Sequence, residues 1–159
     1  MTESVKNEKK AERERQVFVR FAVTMGWPTT VGLVESRNPD EPDILYHRAT
    51  GAVAFELAEI CYRPIAHFVG KKTSELVTAG SFYGEVDLTS LLIGKCSKPY
   101  KTEFPIELLL YDDGRTTKLD DVGIQEVRDA LVAAAIVPFR RVWYWGVDDS
   151  KSQPVAIEM

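Results

Sequence analysis

A chain of 159 residues, 45% hydrophobic and 28% charged, is long enough to bury one core and too short for a second full domain. The sequence has no apolar run near the roughly 18 residues of a membrane span, and its N-terminus is too charged for a signal peptide. A net charge of −4 excludes a protein that coats nucleic acid by charge alone. We therefore expect a cytoplasmic protein that does not enter a membrane.

The hydrophobic periodicity predicts an α/β protein with one domain at 10–159, preceded by a flexible N-terminus at 1–9. The predicted elements are a helix at 11–25, strands at 29–36, 43–47 and 52–60, a helix at 64–79, a short helix from 87 to about 94, a strand at 105–111, a helix at 121–135 and a strand at 140–147. Lys95, Lys98 and Lys101 follow the short helix in what reads as an exposed loop.

Two carboxylates lie on neighbouring predicted strands. Asp43 follows Pro42 at the start of one strand, Glu56 lies within the next, and the turn between them contains Gly51, which can supply a positive φ. Residues 31–59 hold six acidic and two basic side chains, so acidic charge is concentrated here. Carboxylate oxygens are the ligands that Mg²⁺ prefers, which makes this hairpin a candidate metal site.

The Pro42-Asp43 pair, the hairpin and Glu56 resemble the PD-(D/E)xK nuclease superfamily. The resemblance covers roughly residues 10–111 and implies a restriction-endonuclease-like three-layer core, in which the order αβββαβ gives a mixed sheet flanked by helices. It also implies phosphodiester hydrolysis with Mg²⁺ or Mn²⁺. The Lys of the family motif would stand two residues after Glu56, where this chain has Ala58. Another basic side chain would have to supply its charge.

The resemblance also suggests the remaining site residues. Asp43, Glu56 and the main-chain carbonyl of Leu57 would bind the metal, and a Glu on the first helix would complete the site. Glu14 is the first choice for that role, with Glu12 on the same helix or Glu35 on the first strand as alternatives, although a helical Glu among arginines is more often a solvated charge. The replacement for the motif Lys would come from the helix at 64–79, where Lys72 shares the apolar face beside Lys71. A Lys at the edge of the core explains Lys72 equally simply.

The partner implied by the resemblance is nucleic acid, most simply DNA. Lys71, Arg63, Arg140 and Arg141 are the candidate phosphate contacts, because arginines interleaved with aromatic residues can bind phosphates and stack bases. A terminal strand with core aromatics is the simpler explanation of the last two. An acidic chain would need a partner or a second copy of itself to hold a duplex tightly, and a homodimer is expected. The alternative function is an inactive nuclease-fold module that binds or regulates, with a dimer surface on the aromatic C-terminal strand.

Overall fold

Six strands form one open sheet in the computed structural model, which describes residues 2–60, 85–112, 119, 121–146 and 153–158. The strands are β1 (Val34–Ser36), β2 (Ile44–Arg48), β3 (Gly51–Glu59), β4 (Ile106–Asp112), β5 (Phe139–Gly146) and β6 (Val155–Ile157). The described helices are α1 (Glu3–Thr24), α2 (Glu85–Ser97) and α3 (Asp121–Ala133). None of these helices is long and apolar enough to cross a membrane.

The strands lie in the sheet in chain order, and the sheet is mixed. β1, β2 and β3 pair antiparallel, β3, β4 and β5 pair parallel, and β6 returns antiparallel to β5. Parallel neighbours need crossover connections, and α2 and α3 precede β4 and β5 respectively in the chain. The predicted α/β class with a mixed sheet is therefore confirmed.

The two faces of the sheet carry separate cores, and β3 contributes to both because successive side chains alternate. Val53, Phe55 and Leu57 pack in a cluster with α1. Ala54 and Ala58 pack in the other cluster, with residues of α2 and α3. By this alternation Glu56 lies on the α2 and α3 face, between the two alanines.

Aromatic packing fixes the second half of α1 on the sheet. Phe18 and Phe21 are fully buried; the ring centroids of Phe18 and Phe55 are 4.8 Å apart, and those of Phe21 and Trp143 are 5.6 Å apart. A Schellman motif ends the helix: Gly26 adopts φ 75°, and the Trp27 N–H donates to the Ala22 carbonyl at 2.8 Å. The main chain then continues to β1.

Several boundaries differ from those predicted from the sequence. α1 begins at Glu3 and not at residue 11, because its first turns contain almost no apolar residue that would reveal the helical period. β1 is shorter than predicted because Gly32, at φ 91°, lies in a turn just before it. α2 continues to Ser97, so Lys95 is helical and does not lie in a loop. β6 was not predicted, and the predicted helix at 64–79 lies outside the described residues.

The aromatic residues of β5 belong to the interior. Trp143 and Trp145 pack in the α1-side core, and Tyr144 packs on the opposite face. β6 covers the outer edge of β5. The expected dimer surface on this strand is therefore wrong, because its aromatic side chains are already buried within one chain.

Candidate functional site

The β2–β3 hairpin brings Asp43 beside Glu56. Ile44 pairs with Phe55 in the antiparallel ladder, so Asp43, which precedes Ile44, lies opposite Glu56, which follows Phe55. Asp43 Oδ2 accepts a hydrogen bond of 2.9 Å from the Leu57 N–H. Gly51, at φ 123°, allows the tight connection that sets this register. The two carboxylates thus lie at one end of the hairpin because of strand pairing alone.

Glu56 is a buried carboxylate that two lysines approach. Its exposed fraction is 1%, Lys95 Nζ lies 2.7 Å from Oε1, and Lys98 Nζ lies 3.4 Å from the same atom. Lys95 also donates to the Leu57 carbonyl at 3.2 Å. Glu56 Oε2 is buried and has no hydrogen-bond partner among the described residues. An unsatisfied buried carboxylate oxygen is costly, and it marks a position where a cation or water would be stabilised.

Tyr100 holds the end of α2 against this site. Its hydroxyl donates to the Lys95 carbonyl at 2.9 Å, and Lys98 Nζ lies 5.1 Å from the centre of its ring. Burial raises the pKa of the Tyr100 hydroxyl well above its usual range, and the nearby charges of Glu56 and Asp43 raise it further. Tyr100 therefore remains a neutral donor that fixes the last turn of the helix and its lysines.

Glu14 of α1 is the third carboxylate of the site. It is buried, and burial together with the charge of Asp43 raises its pKa to about 7, against the opposing effect of Lys10. Burial also raises the pKa of Asp43, and the charge of Glu56 adds to the rise. Lys10 Nζ lies 3.5 Å from Glu14 Oε1. The three acidic groups therefore repel one another in a partly desolvated space, with Lys10 and Lys95 at its two sides.

The alternatives to Glu14 have other partners. Glu12 is exposed and accepts a hydrogen bond of 3.1 Å from Gln16 on its own helix. Glu35 binds Arg37 and His47 at the edge of the sheet, at 2.5 Å and 2.9 Å respectively. Glu14 is the candidate whose pKa the charges of both Asp43 and Glu56 raise.

The possible ligands present at this position limit which metal ion could bind there. Within the described ranges, no three His, Cys, Asp or Glu side chains are grouped closely enough to form a metal cage. Asp43, Glu56 and the Leu57 carbonyl nevertheless offer hard oxygen atoms close together, and Glu56 Oε2 is unsatisfied. This chemistry fits Mg²⁺ or Mn²⁺ with one or two protein carboxylates and several waters. It does not fit a site built of protein ligands alone.

The other predicted residues lie elsewhere or outside the described residues. Arg63, Lys71 and Lys72 belong to the segment that the structure does not describe. Arg140 pairs with the buried Glu107 at 2.5 Å, and the Arg141 guanidinium lies 5.4 Å from the centre of the Trp143 ring. Because Glu107 also accepts a hydrogen bond from Trp143 in the α1-side core, both arginines lie on the face opposite Glu56.

Lys95, Lys98, Tyr100 and Lys10 were not among the predicted site residues. A signal for the first two was present in the sequence: Leu88, Leu92 and Cys96 are spaced four apart and are all buried. That period carries the helix past Gly94 and places Lys95 beside its buried face. Lys10 and Tyr100 gave no such signal, because their importance comes from contacts across the fold.

Comparisons with protein-family models, with curated proteins and with solved structures found no match to this chain. The case for a function therefore depends on the geometry described above. The residues on which this case depends are Asp43, Glu56 and Lys95, together with Glu14, which contacts Lys10.

Proposed function

We propose that this protein binds nucleic acid through a PD-(D/E)xK nuclease-like core and hydrolyses phosphodiesters with Mg²⁺ or Mn²⁺. The observation that carries the proposal is the contact of 2.7 Å between Lys95 Nζ and Glu56 Oε1, beside Asp43. Among the described residues the elements follow the order α1, β1, β2, β3, α2, β4, with β3 and β4 parallel, and this supports the proposal because the resemblance implies an αβββαβ core.

Lys95 supplies the positive charge that the motif lacks at Ala58. It reaches Glu56 from α2, and the fold keeps it there because the Tyr100 hydroxyl binds its carbonyl. An ammonium at this position would orient an attacking water and offset the charge that develops on the phosphate. Preorganised electrostatic groups of this kind contribute about 2.7–4 kcal/mol each in enzymes where they have been removed.

Asp43, Glu56 and the Leu57 carbonyl would hold the metal ion, and Glu14 would reach it only through a water. A bound divalent ion polarises a phosphoryl oxygen and lowers the pKa of its water. The chain's own contribution is positioning. The Leu57 N–H orients Asp43, Lys95 orients Glu56, and Lys98, whose side chain is 34% exposed, faces the solvent from which a phosphate would approach.

Cleavage assays test this function directly. Wild-type protein should cleave single-stranded or duplex DNA in Mg²⁺ or Mn²⁺ and should be inactive in EDTA. Asp43→Asn, Glu56→Gln and Lys95→Met should each reduce cleavage by about 100-fold or more. Glu12→Gln is the matched control, because that exposed carboxylate lies on the same helix as Glu14 and accepts a hydrogen bond from Gln16. Equal cleavage by Asp43→Asn and wild type would exclude the proposed site.

A second candidate is an inactive nuclease-fold module that binds or regulates, and the lysine contacts favour it. Lys95 and Lys98 both approach Glu56 Oε1, so the carboxylate is neutralised without any metal. Titration calorimetry with Mg²⁺ and Mn²⁺ separates the candidates. Metal binding that Asp43→Asn abolishes supports the enzyme, whereas no binding and no cleavage support the module. A homodimer remains a prediction for either candidate, and light scattering would test it.

A further inference from the structure

The first turns of α1 form a helix with no core beneath it. Residues 2–10 are exposed all round, and the first buried side chain of the helix is that of Glu14. A helix that is polar on every side needs side-chain pairs or a partner to remain ordered. Its position is informative, because it leads directly to the candidate site through the Lys10–Glu14 contact.

Basic and acidic side chains lie on different sides of these turns. Lys6, Lys9 and Lys10 are spaced at i, i+3 and i+4 and therefore share one side, which we term the α1 lysine row. Ser4, Glu8, Glu12 and Gln16 form a separate row, in which Ser4 donates to Glu8 at 3.5 Å and Gln16 donates to Glu12 at 3.1 Å. The acidic side chains of that row thus interact with their own neighbours and not with the lysines.

Contacts at the base of the α1 lysine row fix its position. Arg13 Nη2 lies 2.7 Å from Glu59 Oε2 at the end of β3, and Tyr111 at the end of β4 together with Glu59 raises the pKa of the Arg13 guanidinium. Lys10, whose side chain is 67% exposed, contacts Glu14, and its charge lowers the pKa of Asp43 against the larger effect of burial. The row therefore begins beside the three carboxylates and extends away from them into solvent.

We propose that the α1 lysine row binds the phosphodiester backbone of the nucleic acid whose cleavage site lies at Asp43 and Glu56. The proposal rests on the proposed function for the identity of the ligand. The helix from Lys6 to Glu14 is about 12 Å long. That length matches three to four nucleotides at about 3.4 Å per nucleotide of one strand.

The same residues argue against a membrane as the partner. Amphipathic helices that bind lipid surfaces carry a wide apolar face opposite their basic face. Here the side opposite the lysines holds Glu8, Glu12 and Arg15, and Val5 is the only large apolar residue of the exposed turns. A row of lysines with no apolar counterpart fits a polyanion that is bound by charge in water.

Fluorescence anisotropy with labelled single-stranded DNA and the matching duplex tests the proposal, in EDTA and with Asp43→Ala present in every protein. Lys6→Gln/Lys9→Gln should weaken binding about tenfold at about 50 mM salt and should reduce the salt slope by about 1 to 2. The control is Arg15→Gln/Arg48→Gln, which has the same net charge. Arg15 lies half a turn around α1 from Lys6, and Arg48 lies at the far end of β2.

Control binding should equal that of the parent protein. Equal weakening by the two double variants, or no binding of either DNA by the parent, would overturn the proposal. Circular dichroism checks that α1 remains helical, since Gln and Lys have similar helix propensities. The result is independent of catalysis. If DNA binding requires the lysines but no metal-dependent cleavage is found, the proposed hydrolysis is wrong and the inference about the α1 lysine row stands. If the protein cleaves DNA but binds it equally well without the lysines, only the inference about the row is wrong.

Discussion

Lys95 and Glu56 are 39 positions apart in the chain, and their charged atoms are 2.7 Å apart in the fold. Glu56 lies in the middle of a strand between two alanines of a hydrophobic core, where a carboxylate without a partner would be strongly destabilising. The last turns of α2 supply the compensating charge from outside the sheet. The same contact therefore stabilises the fold and prepares the candidate site.

Replacing Lys95 should be more harmful than replacing Glu56. Lys95→Met leaves a buried carboxylate with Lys98 as its one remaining ion-pair partner among the described residues, so we expect a loss of about 3 kcal/mol in the free energy of unfolding. Glu56→Gln removes the buried charge itself and should cost much less. Urea denaturation in EDTA measures both, and Lys101→Met, at an exposed ion pair with Asp40, is the control. A larger loss for Glu56→Gln than for Lys95→Met would contradict this account.

Asp43→Asn should separate stability from activity. The amide oxygen of Asn can still accept the Leu57 N–H, while the repulsion from Glu56 and Glu14 disappears. We therefore expect a melting temperature equal to or above that of wild type, together with the loss of metal-dependent cleavage. Thermal denaturation in EDTA gives the first quantity. A clear fall in melting temperature would mean that the carboxylate charge is needed for folding.

The stability of the protein should fall as the pH rises from about 4.5 to about 7, because Glu14 has a pKa raised from 4.5 to about 7. The native state then holds a proton that the unfolded chain releases, so the stabilisation is complete below pH 4.5 and is lost as pH rises through 7. The raised pKa of Asp43 acts in the same direction. Glu14→Gln should flatten the urea midpoint across this range, whereas the exposed Glu12→Gln should leave the wild-type profile unchanged.

The aromatic cluster under α1 should dominate the stability of that face. Phe21 is fully buried against Trp27, Phe55, Trp143 and Trp145, so Phe21→Ala should cost about 3–5 kcal/mol. Val23→Ala on the same helix is the control, since Val23 is 60% exposed. Chemical denaturation followed by tryptophan fluorescence measures both. Similar costs for the two variants would show that α1 is only loosely packed.

The hairpin and its two carboxylates could be predicted from the sequence, because strand alternation and a glycine turn are local signals. The α/β class followed from the order of helical and strand signals along the chain. The partner of Glu56 is harder to predict, because the helical period places both Lys95 and Lys72 beside an apolar helix face and does not decide between them; Lys72 lies outside the described residues. The choice between them depends on how a crossover helix packs, and that is a property of the whole chain.

The exposed turns of α1 were missed for a different reason. Hydrophobic period is the main signal for a helix, and residues 3–10 contain almost none. Their helical state depends on side-chain pairs and on continuity with the buried half of α1. β6 was missed because three residues are too few to show alternation, and only its pairing with β5 defines it.

The turn between Arg48 and Gly51 has a consequence for how this protein tolerates change. No residue of the turn contacts the carboxylates, yet the number of residues in it decides which side chain of β3 meets Asp43. A slip of one residue would move Glu56 to the opposite face of the sheet and place Phe55 or Leu57 before Lys95. Substitutions in the turn should therefore be tolerated where the backbone permits them, whereas single insertions or deletions should abolish the site at a distance.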